Sequence, residues 1–223
     1  MAFNHDPAVA GEVTRLIQLF EVDHVVETGT WTGPTTVWFA KTFPGVRVDT
    51  VEIKEEFQLQ AKAALKPYTN ACSHLGSSHE KLATMLALGD QGGAKLAYLD
   101  AHWWDYLPLN DELHIIAKHA SDNCIIVIDD FKVPQRNYQC DIFQDKPIDL
   151  NMVIEALNST APSGLVYYYL NKSQKGTFTS YDGTQKDGVG KLYAVPVKLL
   201  NKFNVPPEGL RVFENFVPYS NAF

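Results

Sequence analysis

The segment that most constrains the fold spans residues 25–36 and reads VVETGTWTGPTT. It begins as a short apolar strand, passes through a loop with two glycines, Gly29 and Gly33, and enters a helix. Thr32 is a suitable N-cap for that helix, and Pro34 stands where proline is tolerated in a first helical turn. This order forms a nucleotide-binding turn, because the loop lets a ligand approach the backbone and its free N–H groups.

The composition of this loop favours one class of nucleotide. A dinucleotide site uses G-x-G-x-x-G so that bare backbone reaches a pyrophosphate, but the middle position here is Trp31, whose indole would crowd that approach. Glu27, at the end of the strand, is badly placed for an anion and well placed for a cation. S-adenosylmethionine (SAM) carries an ammonium and a sulfonium and no phosphate. The loop therefore favours SAM over NAD, with a structural turn containing incidental glycines as the alternative.

The rest of the chain alternates strand and helix patterns. Four further apolar segments, interleaved with helical patterns, predict strands at 46–53, 72–75, 96–100 and 124–128. Such alternation implies a parallel sheet with right-handed crossovers. A polar stretch without helical period joins 165–170 to 191–197, which predicts an antiparallel edge hairpin. We therefore expect an α/β fold: a Rossmann-like, doubly wound, mostly parallel seven-stranded sheet with helices on both faces.

Composition and charge limit the class of protein. A net charge of -7 without a basic block argues against non-specific nucleic-acid binding. With 45% hydrophobic and 20% charged residues, the sequence predicts a single domain over residues 1–223. The start lacks signal-peptide regions, and no apolar run is long enough to span a bilayer. Three cysteines at unrelated spacings indicate reduced thiols and a cytoplasmic protein without a membrane partner.

Polar and acidic residues stand at the carboxyl ends of the predicted strands. Because ligands of such sheets bind outside those ends, these residues define the candidate site. In chain order they are Glu27, Glu52, Ser77 with Ser78, Asp100 with His102, and Asp129 with Asp130. The result is a row of carboxylates along one rim of the sheet.

Two positions on this rim suit a nucleoside. Glu52, at the end of the second strand, could accept both ribose hydroxyl hydrogens. Alternatively it is a solvated glutamate that starts the next helix and is stabilised by the helix dipole. Ser77 or Ser78 could hydrogen-bond the adenine edge, or either could simply cap the helix that begins near His79.

Three aspartates form the most concentrated charge on the rim. Two adjacent strand ends would bring Asp100, Asp129 and Asp130 together, which is costly unless a cation neutralises them. Oxygen ligands favour a hard ion such as Mg²⁺, which could bind a substrate hydroxyl and lower its pKa. In the alternative interpretation, Asp100 contacts the amino group of the cofactor, and the aspartate pair merely ends a buried strand.

His102 is the predicted proton acceptor, because its ordinary pKa lies near neutrality and it follows Asp100 by two residues. Trp103, Trp104 and Tyr106 follow directly. They could form an aromatic wall over cofactor or substrate, or serve as ordinary core anchors.

At this point the sequence resembles the class I SAM-dependent methyltransferases. Among them it is most similar to the metal-dependent small-molecule O-methyltransferases of the catechol and caffeoyl-CoA type. The resemblance covers roughly residues 6–200 and is carried by three motifs: ETGTWTG at 27–33, YLDAHWWDYLP at 98–108 and VIDD at 127–130. That subgroup has an aromatic residue at the position of Trp31, where dinucleotide sites have their middle glycine.

The resemblance implies specific roles for these residues. It implies Asp100, Asp129 and Asp130 as metal ligands, Glu52 on the ribose, and the methionine moiety surrounded by Glu27, Gly29, Thr30, Trp31 and Gly33. The catalytic lysine of the family falls on Trp103, which cannot accept a proton. Activation of the nucleophile would then rest on the metal and His102. Related bacterial methyltransferases act on sugars or antibiotic precursors, so those substrates stay open.

The sequence therefore predicts methyl transfer from SAM to a hydroxyl oxygen of a small molecule, assisted by a divalent metal, with Asp100 and His102 as catalytic residues. We expect the acceptor to lie under three irregular segments, 131–150, 171–190 and 206–223, because loops usually set specificity. The alternatives are a metal-independent methyltransferase of a sugar or natural-product precursor, a non-catalytic cofactor-binding module and a NAD-dependent oxidoreductase. A homodimer is compatible with the sequence.

Overall fold

The structure is a computed structural model that describes residues 2–89, 92–102, 105–170, 172–207, 210 and 216–219. The helices in these ranges are α1 (Pro7–Leu19), α2 (Pro34–Thr42), α3 (Glu55–Leu65), α4 (Ser78–Leu88), α5 (Leu109–His119), α6 (Leu150–Ser159) and α7 (Val197–Lys202). The strands are β1 (Val22–Thr28), β2 (Arg47–Glu52), β3 (Ala71–Leu75), β4 (Ala94–Leu99), β5 (Cys124–Ile128), β6 (Tyr138–Gln139), β7 (Ile142–Phe143), β8 (Lys146–Pro147), β9 (Leu165–Leu170), β10 (Phe178–Thr179), β11 (Gln185–Lys186), β12 (Gly188–Val189), β13 (Leu192–Pro196) and β14 (Phe216–Tyr219).

The main sheet has the strand order β14-β9-β13-β5-β4-β1-β2-β3. The five strands from β5 to β3 are parallel, while β13, β9 and β14 are antiparallel to their neighbours. This confirms the predicted doubly wound sheet and its antiparallel edge, where β9 and β13 pair directly. An eighth strand, β14, pairs with β9 and adds one more strand at that edge of the sheet. It comes from the predicted substrate-covering segment 206–223, of which 208–209, 211–215 and 220–223 lie outside the described residues.

Helices pack on both faces of the sheet, and each face has its own apolar core. Successive residues of β1 point to opposite faces, so that Val25 lies in one core and Val26 in the other. The core on one face includes residues of α4, α5 and α6, and the core on the other includes residues of α1, α2 and α7. Apolar residues of α1 and its C-cap recur at helical spacing and are all buried: Val9, Val13, Leu16, Ile17 and Phe20.

Two local features differ from the predictions. The predicted N-cap Thr32 is wrong, because α2 begins at Pro34 and Gly33 is its N-cap residue, with φ of 86° and no side-chain cap. Helix α6 was not predicted, although its signal is present in the sequence. The Asp149 carboxylate accepts the N–H of Met152 at 3.2 Å, and the inward residues of α6 recur at helical spacing: Val153, Ala156 and Leu157.

The predicted covering segments 131–150 and 171–190 pack against each other. Strands β6 and β12 pair in parallel, and the Ser180 hydroxyl donates to the Gln139 side-chain oxygen at 2.8 Å. The Tyr181 hydroxyl donates to the Cys140 carbonyl at 3.2 Å. Within the described residues, no helix is both long and apolar enough to cross a bilayer.

Candidate active site

The glycine loop between β1 and α2 lies directly against the end of β4. Gly29 has φ of +77°, and a Cβ added there would lie 2.2 Å from the Asp100 carbonyl oxygen, so that only glycine fits. The Gly29 and Thr30 N–H groups donate to the Val51 carbonyl at 3.0 and 3.2 Å. Trp31 is 57% exposed, so its indole projects outward from the loop. The loop thus joins three strand ends, and its Gly29 and Thr30 N–H groups are bonded within the protein and are not the free donors expected from the sequence.

Glu27 is buried at the end of β1, beneath this loop. One of its carboxylate oxygens accepts hydrogen bonds from two hydroxyls, that of Thr36 and that of Thr50. The bond from Thr50 is 2.7 Å long. Burial raises the pKa of Glu27 to about 7; the two hydroxyls oppose the rise, and the charges of Asp129 and Glu52 add to it. At neutral pH this carboxyl is poised between its two forms, and a cation bound nearby would favour the charged one.

Glu52 holds the loop in place from the end of β2. One carboxylate oxygen accepts the Trp31 N–H at 2.7 Å, and the other accepts the Lys54 N–H at 2.9 Å. Because each carboxylate oxygen has a further lone pair, Glu52 could still accept hydrogen bonds from a ligand. The predicted role of Glu52 on a ribose would use these remaining lone pairs.

The start of α4 carries the two predicted serines. The Ser77 hydroxyl makes no cap bond and instead contacts Nδ1 of His79 at 2.7 Å, so the capping interpretation does not describe its side chain. Ser78 is buried in the first turn. It lies near Glu112, a fully buried carboxyl on α5 whose two oxygens lack a hydrogen-bond partner within bonding geometry.

Glu112 is a site residue that the sequence analysis missed. Burial raises its pKa to about 7, and the nearby hydroxyls of Ser78 and Thr28 partly offset that rise. In the sequence Glu112 is an acidic residue in the first turn of a helix, a pattern that indicates a favourable helix dipole and not a buried carboxyl.

Asp129, at the end of β5, is bound on both oxygens. Its Oδ1 accepts a hydrogen bond from the Lys191 ammonium and another from the Asp130 N–H, which is 2.8 Å away. Its Oδ2 accepts a hydrogen bond from the Tyr98 hydroxyl. Lys191 is 3% exposed and Asp129 is 2% exposed, so this is a buried ion pair. Sequence reasoning missed Lys191, which stood at the start of a predicted edge strand and carried no motif.

The carboxyl groups around this ion pair outnumber its single ammonium. Burial raises the pKa of Asp100 and of Asp130 well above the usual range; the charge of Asp129 adds to both, and Lys191 opposes. Asp141 joins the group, because its N–H donates to the Asp130 carbonyl at 2.8 Å. Burial, with Asp129, raises the pKa of Asp141 to about 6. We call Asp100, Asp129, Asp130 and Asp141 the acidic cluster.

His102 lies beside the acidic cluster, with Nδ1 3.9 Å from an Asp141 oxygen. Its ring is buried, and among the described residues neither ring nitrogen has a hydrogen-bond partner. Burial lowers the pKa of His102 to about 4, although the charge of Asp129 opposes this, so the ring is neutral at pH 7. Trp103 and Trp104 lie outside the described residues. Tyr106 is half exposed and contacts the His79 ring at 5.2 Å between centroids, so it is not a core anchor.

The three predicted metal ligands do not form a converging donor set. In the described part of the chain, the group of three whose ligand atoms lie within 4.8 Å of one another is Asp49, Cys72 and His74, elsewhere on the sheet. Both Asp129 oxygens already accept hydrogen bonds. Mg²⁺ needs near-octahedral oxygen ligation, so the predicted Mg²⁺ site does not fit the arrangement of these side chains.

Comparison with known proteins bears on the fold. No family model matches the chain, and no curated protein matches it either. Among solved structures, an O-methyltransferase from Bacillus cereus in complex with SAH is similar with a TM-score of 0.57 and 17% identity, over 88% of this chain and 84% of that one. The O-methyltransferase TomG from Streptomyces achromogenes, in complex with SAM, has a TM-score of 0.51 and 16% identity, with coverages of 85% and 80%.

The chain has the Rossmann-like methyltransferase fold. A precorrin 8w decarboxylase from Methanobacterium thermoautotrophicum is similar to a comparable degree, with a TM-score of 0.52, 16% identity and coverages of 83% and 89%. The fold thus supports more than one chemistry, and function has to be argued from the site. On this methyltransferase fold, the predicted rim residues do stand at the ends of neighbouring strands, as expected: Glu27, Glu52, Ser77, Ser78, Asp100, Asp129 and Asp130.

Proposed function

We propose that this chain transfers a methyl group from SAM to a hydroxyl oxygen of a small molecule. The observation that carries the proposal is the acidic rim around the glycine loop. Two buried carboxyls, Glu27 and Glu52, stand at adjacent strand ends beside this loop, and Gly29 lets the loop pack against the end of β4. A cationic, phosphate-free nucleoside is the ligand class whose charge matches this rim.

We place SAM along the rim by its chemistry. Its methionine moiety would lie against Glu27 and the loop, including Gly29, Thr30, Trp31 and Gly33. Its ribose hydroxyls would donate to Glu52, and its adenine would reach Ser77 and Ser78. The sulfonium would then lie towards Asp100, where negative charge is concentrated. The solved neighbours from Bacillus cereus and Streptomyces achromogenes hold SAH and SAM, which supports this cofactor class for the fold.

The acceptor would enter between the two covering segments. A cavity of about 270 Å³ lies there, lined by side chains of both segments, including Tyr138, Cys140 and Tyr181. Cys140 directly precedes Asp141, which is hydrogen-bonded to Asp130, so the cavity adjoins the acidic cluster. Its size is close to the lower end of the range for small-molecule pockets.

In the transfer, the acceptor oxygen attacks the methyl carbon in line, the carbon–sulfur bond breaks, and the sulfonium becomes a neutral thioether. The hydroxyl proton has to leave. His102 is our candidate to accept it, because its neutral ring lies beside Asp141 and one ring nitrogen carries a lone pair; its lowered pKa makes it a weaker base than an ordinary histidine. Asp100 would face the sulfonium. Positioning and electrostatics would supply most of the rate.

The metal-assisted version of this reaction does not match the donor set. Asp129 already accepts hydrogen bonds on both oxygens, one of them from the Lys191 ammonium, and the other two predicted ligands, Asp100 and Asp130, do not converge with it. We therefore favour the metal-independent alternative. The small-molecule acceptor, a cytoplasmic location and a homodimer stay predictions from the sequence.

Calorimetric titration with SAH and with NAD⁺ tests the cofactor assignment. We expect SAH to bind and NAD⁺ to give no heat. Glu52→Gln should weaken SAH by at least about tenfold, equal to roughly 1.4 kcal/mol, since it removes the ribose acceptor. Glu55→Gln is the matched control, because Glu55 is an exposed glutamate three residues away.

Three results would decide between the alternatives. NAD⁺ binding without SAH binding would replace the proposal with an oxidoreductase. SAH binding without methyl transfer to any of a broad set of small hydroxyl compounds, followed by mass spectrometry, would favour a non-catalytic cofactor-binding module. Equal SAH affinity in the wild type and Glu52→Gln would remove Glu52 from the site.

A further inference from the structure

We propose that the buried ammonium of Lys191 is the resident cation of the acidic cluster and takes the place that a divalent metal would otherwise fill. Lys191 is then a positioning residue that acts through Asp129. The inference rests on the proposed function only where it concerns methyl transfer. Its structural part, which cation neutralises Asp129, is independent of that function.

The sheet itself places Lys191 against Asp129. In the antiparallel register of β13 and β5, Leu192 lies opposite Ile128. Lys191, one residue before Leu192, therefore lies opposite Asp129, one residue after Ile128. The Phe131 N–H donates to the Gly190 carbonyl at 2.9 Å and closes the same stretch from the other side. The lysine is therefore held on both flanks by backbone hydrogen bonds.

Gly190 makes this close approach of the two chains feasible. A Cβ added at Gly190 would lie 1.9 Å from the Phe131 carbonyl oxygen. Any larger residue would push the chain that carries Lys191 away from the chain that carries Asp129 and Asp130. The sequence GK at 190–191 thus combines a residue that permits the approach with a residue that supplies the charge.

The hydrogen bonds of Asp129 leave one lone pair, on Oδ2, for a second cation. Its Oδ1 accepts from the ammonium and from the Asp130 N–H, and its Oδ2 accepts from the Tyr98 hydroxyl. A divalent ion on Asp129 would have to displace Lys191 or lie beside an ammonium at short distance, where like charges repel strongly in a buried site. The lysine and the metal are therefore mutually exclusive.

Binding of Mn²⁺, followed by its electron paramagnetic resonance signal, tests this exclusion without any methyl donor. We expect wild type to bind no Mn²⁺ at about 1 mM. Lys191→Met keeps an unbranched side chain, one atom shorter, and removes the charge, and we expect it to gain Mn²⁺ binding by at least about tenfold. Adding Asp129→Asn to that variant should abolish the gain. Lys198→Met, which removes an exposed lysine of α7, is the control and should behave as wild type.

Two outcomes would overturn the inference. One is Mn²⁺ binding to wild type that Asp129→Asn removes, and this comparison does not depend on whether Lys191→Met folds. The other is a folded Lys191→Gln or Lys191→Met variant, verified by circular dichroism, that gains no Mn²⁺ binding. Since SAM is absent throughout, failure of the methyltransferase proposal would leave these results interpretable, and Mn²⁺ on Asp129 would leave that proposal intact.

Discussion

Two buried aspartates on the same sheet have opposite surroundings. Asp49, inside β2, has three basic partners for one carboxylate: His24 at 2.9 Å, His74 at 2.7 Å and Arg47 at 2.5 Å. Asp129, at the end of β5, shares one ammonium with three further carboxyls of the acidic cluster.

The difference shows in the pKa values. Although burial opposes it, hydrogen bonds from His24, His74 and Arg47 hold the pKa of Asp49 well below the usual range. Around Asp129, burial and mutual repulsion raise the pKa values of the neighbouring carboxyls instead. Asp49, whose carboxylate is bound by three basic side chains, stabilises the sheet. The buried carboxyls around Asp129 repel one another, and a cationic ligand would lower that electrostatic free energy. The comparison therefore separates a structural network from a candidate binding site.

The largest expected effect comes from Lys191→Met, which removes the single cation on Asp129. Breaking one side of a buried ion pair typically costs about 3–5 kcal/mol, because it leaves an uncompensated charge. Urea unfolding at pH 7 measures the loss, with Lys198→Met as the control. A loss no greater than that of the control would show that the ion pair does not stabilise the folded chain.

Asp49→Asn should destabilise by about 3 kcal/mol at pH 7, since it leaves its basic partners without their carboxylate. A lowered folded-state pKa contributes stability that is present above the unfolded value of 3.8 and is lost as pH falls below it. The difference between wild type and variant should therefore be full at pH 7 and shrink at pH 3. Exposed Asp105→Asn is the control. A difference that does not depend on pH would contradict the charge assignment.

Glu27→Gln should act in the opposite direction and stabilise the protein at pH 8. The folded-state pKa of about 7 exceeds the ordinary value of 4.5, so ionisation destabilises the folded state as pH rises through that window. Removing the charge should therefore restore up to about 3 kcal/mol at pH 8 and almost none at pH 4. The same variant should bind SAH more weakly. Thermal unfolding at both pH values, with Glu55→Gln for comparison, measures this stabilisation. Greater stabilisation by Glu27→Gln at pH 4 than at pH 8 would refute the prediction.

The smallest expected change in stability tests the backbone of the glycine loop and not the charge of the rim. Gly29→Ala should cost about 1–3 kcal/mol and weaken SAH binding, because of its positive φ and the nearby Asp100 carbonyl. Gly45→Ala is the matched control: a Cβ there meets no atom within 4 Å, and we expect a change within about 0.5 kcal/mol. Equal behaviour of the two variants would remove the tight loop from the account.

The rim could be predicted because each of its residues follows an apolar strand in the sequence. Strand ends are local features, and parallel strands bring them to one edge without further information. That is why Glu27, Glu52, Asp100 and Asp129 stand where the sequence analysis expected them. The strands and most helices were predictable for the same reason, since their periodicity is local.

The partners of these residues could not be predicted in this way. Lys191 meets Asp129 across 62 residues of sequence, through an antiparallel register that no local pattern specifies. The buried state of Glu112 depends on how α5 packs on α4. The metal prediction counted carboxylates and did not include Lys191, whose ammonium binds Asp129.

A crystal structure of the protein with SAH and MnCl₂, recorded at a wavelength with anomalous signal from manganese, tests the central claim most directly. The account predicts SAH along the rim, with its ribose on Glu52, and no anomalous peak on Asp129. An anomalous peak between Asp129 and Asp130 with Lys191 displaced, or a rim that holds no SAH, would contradict it.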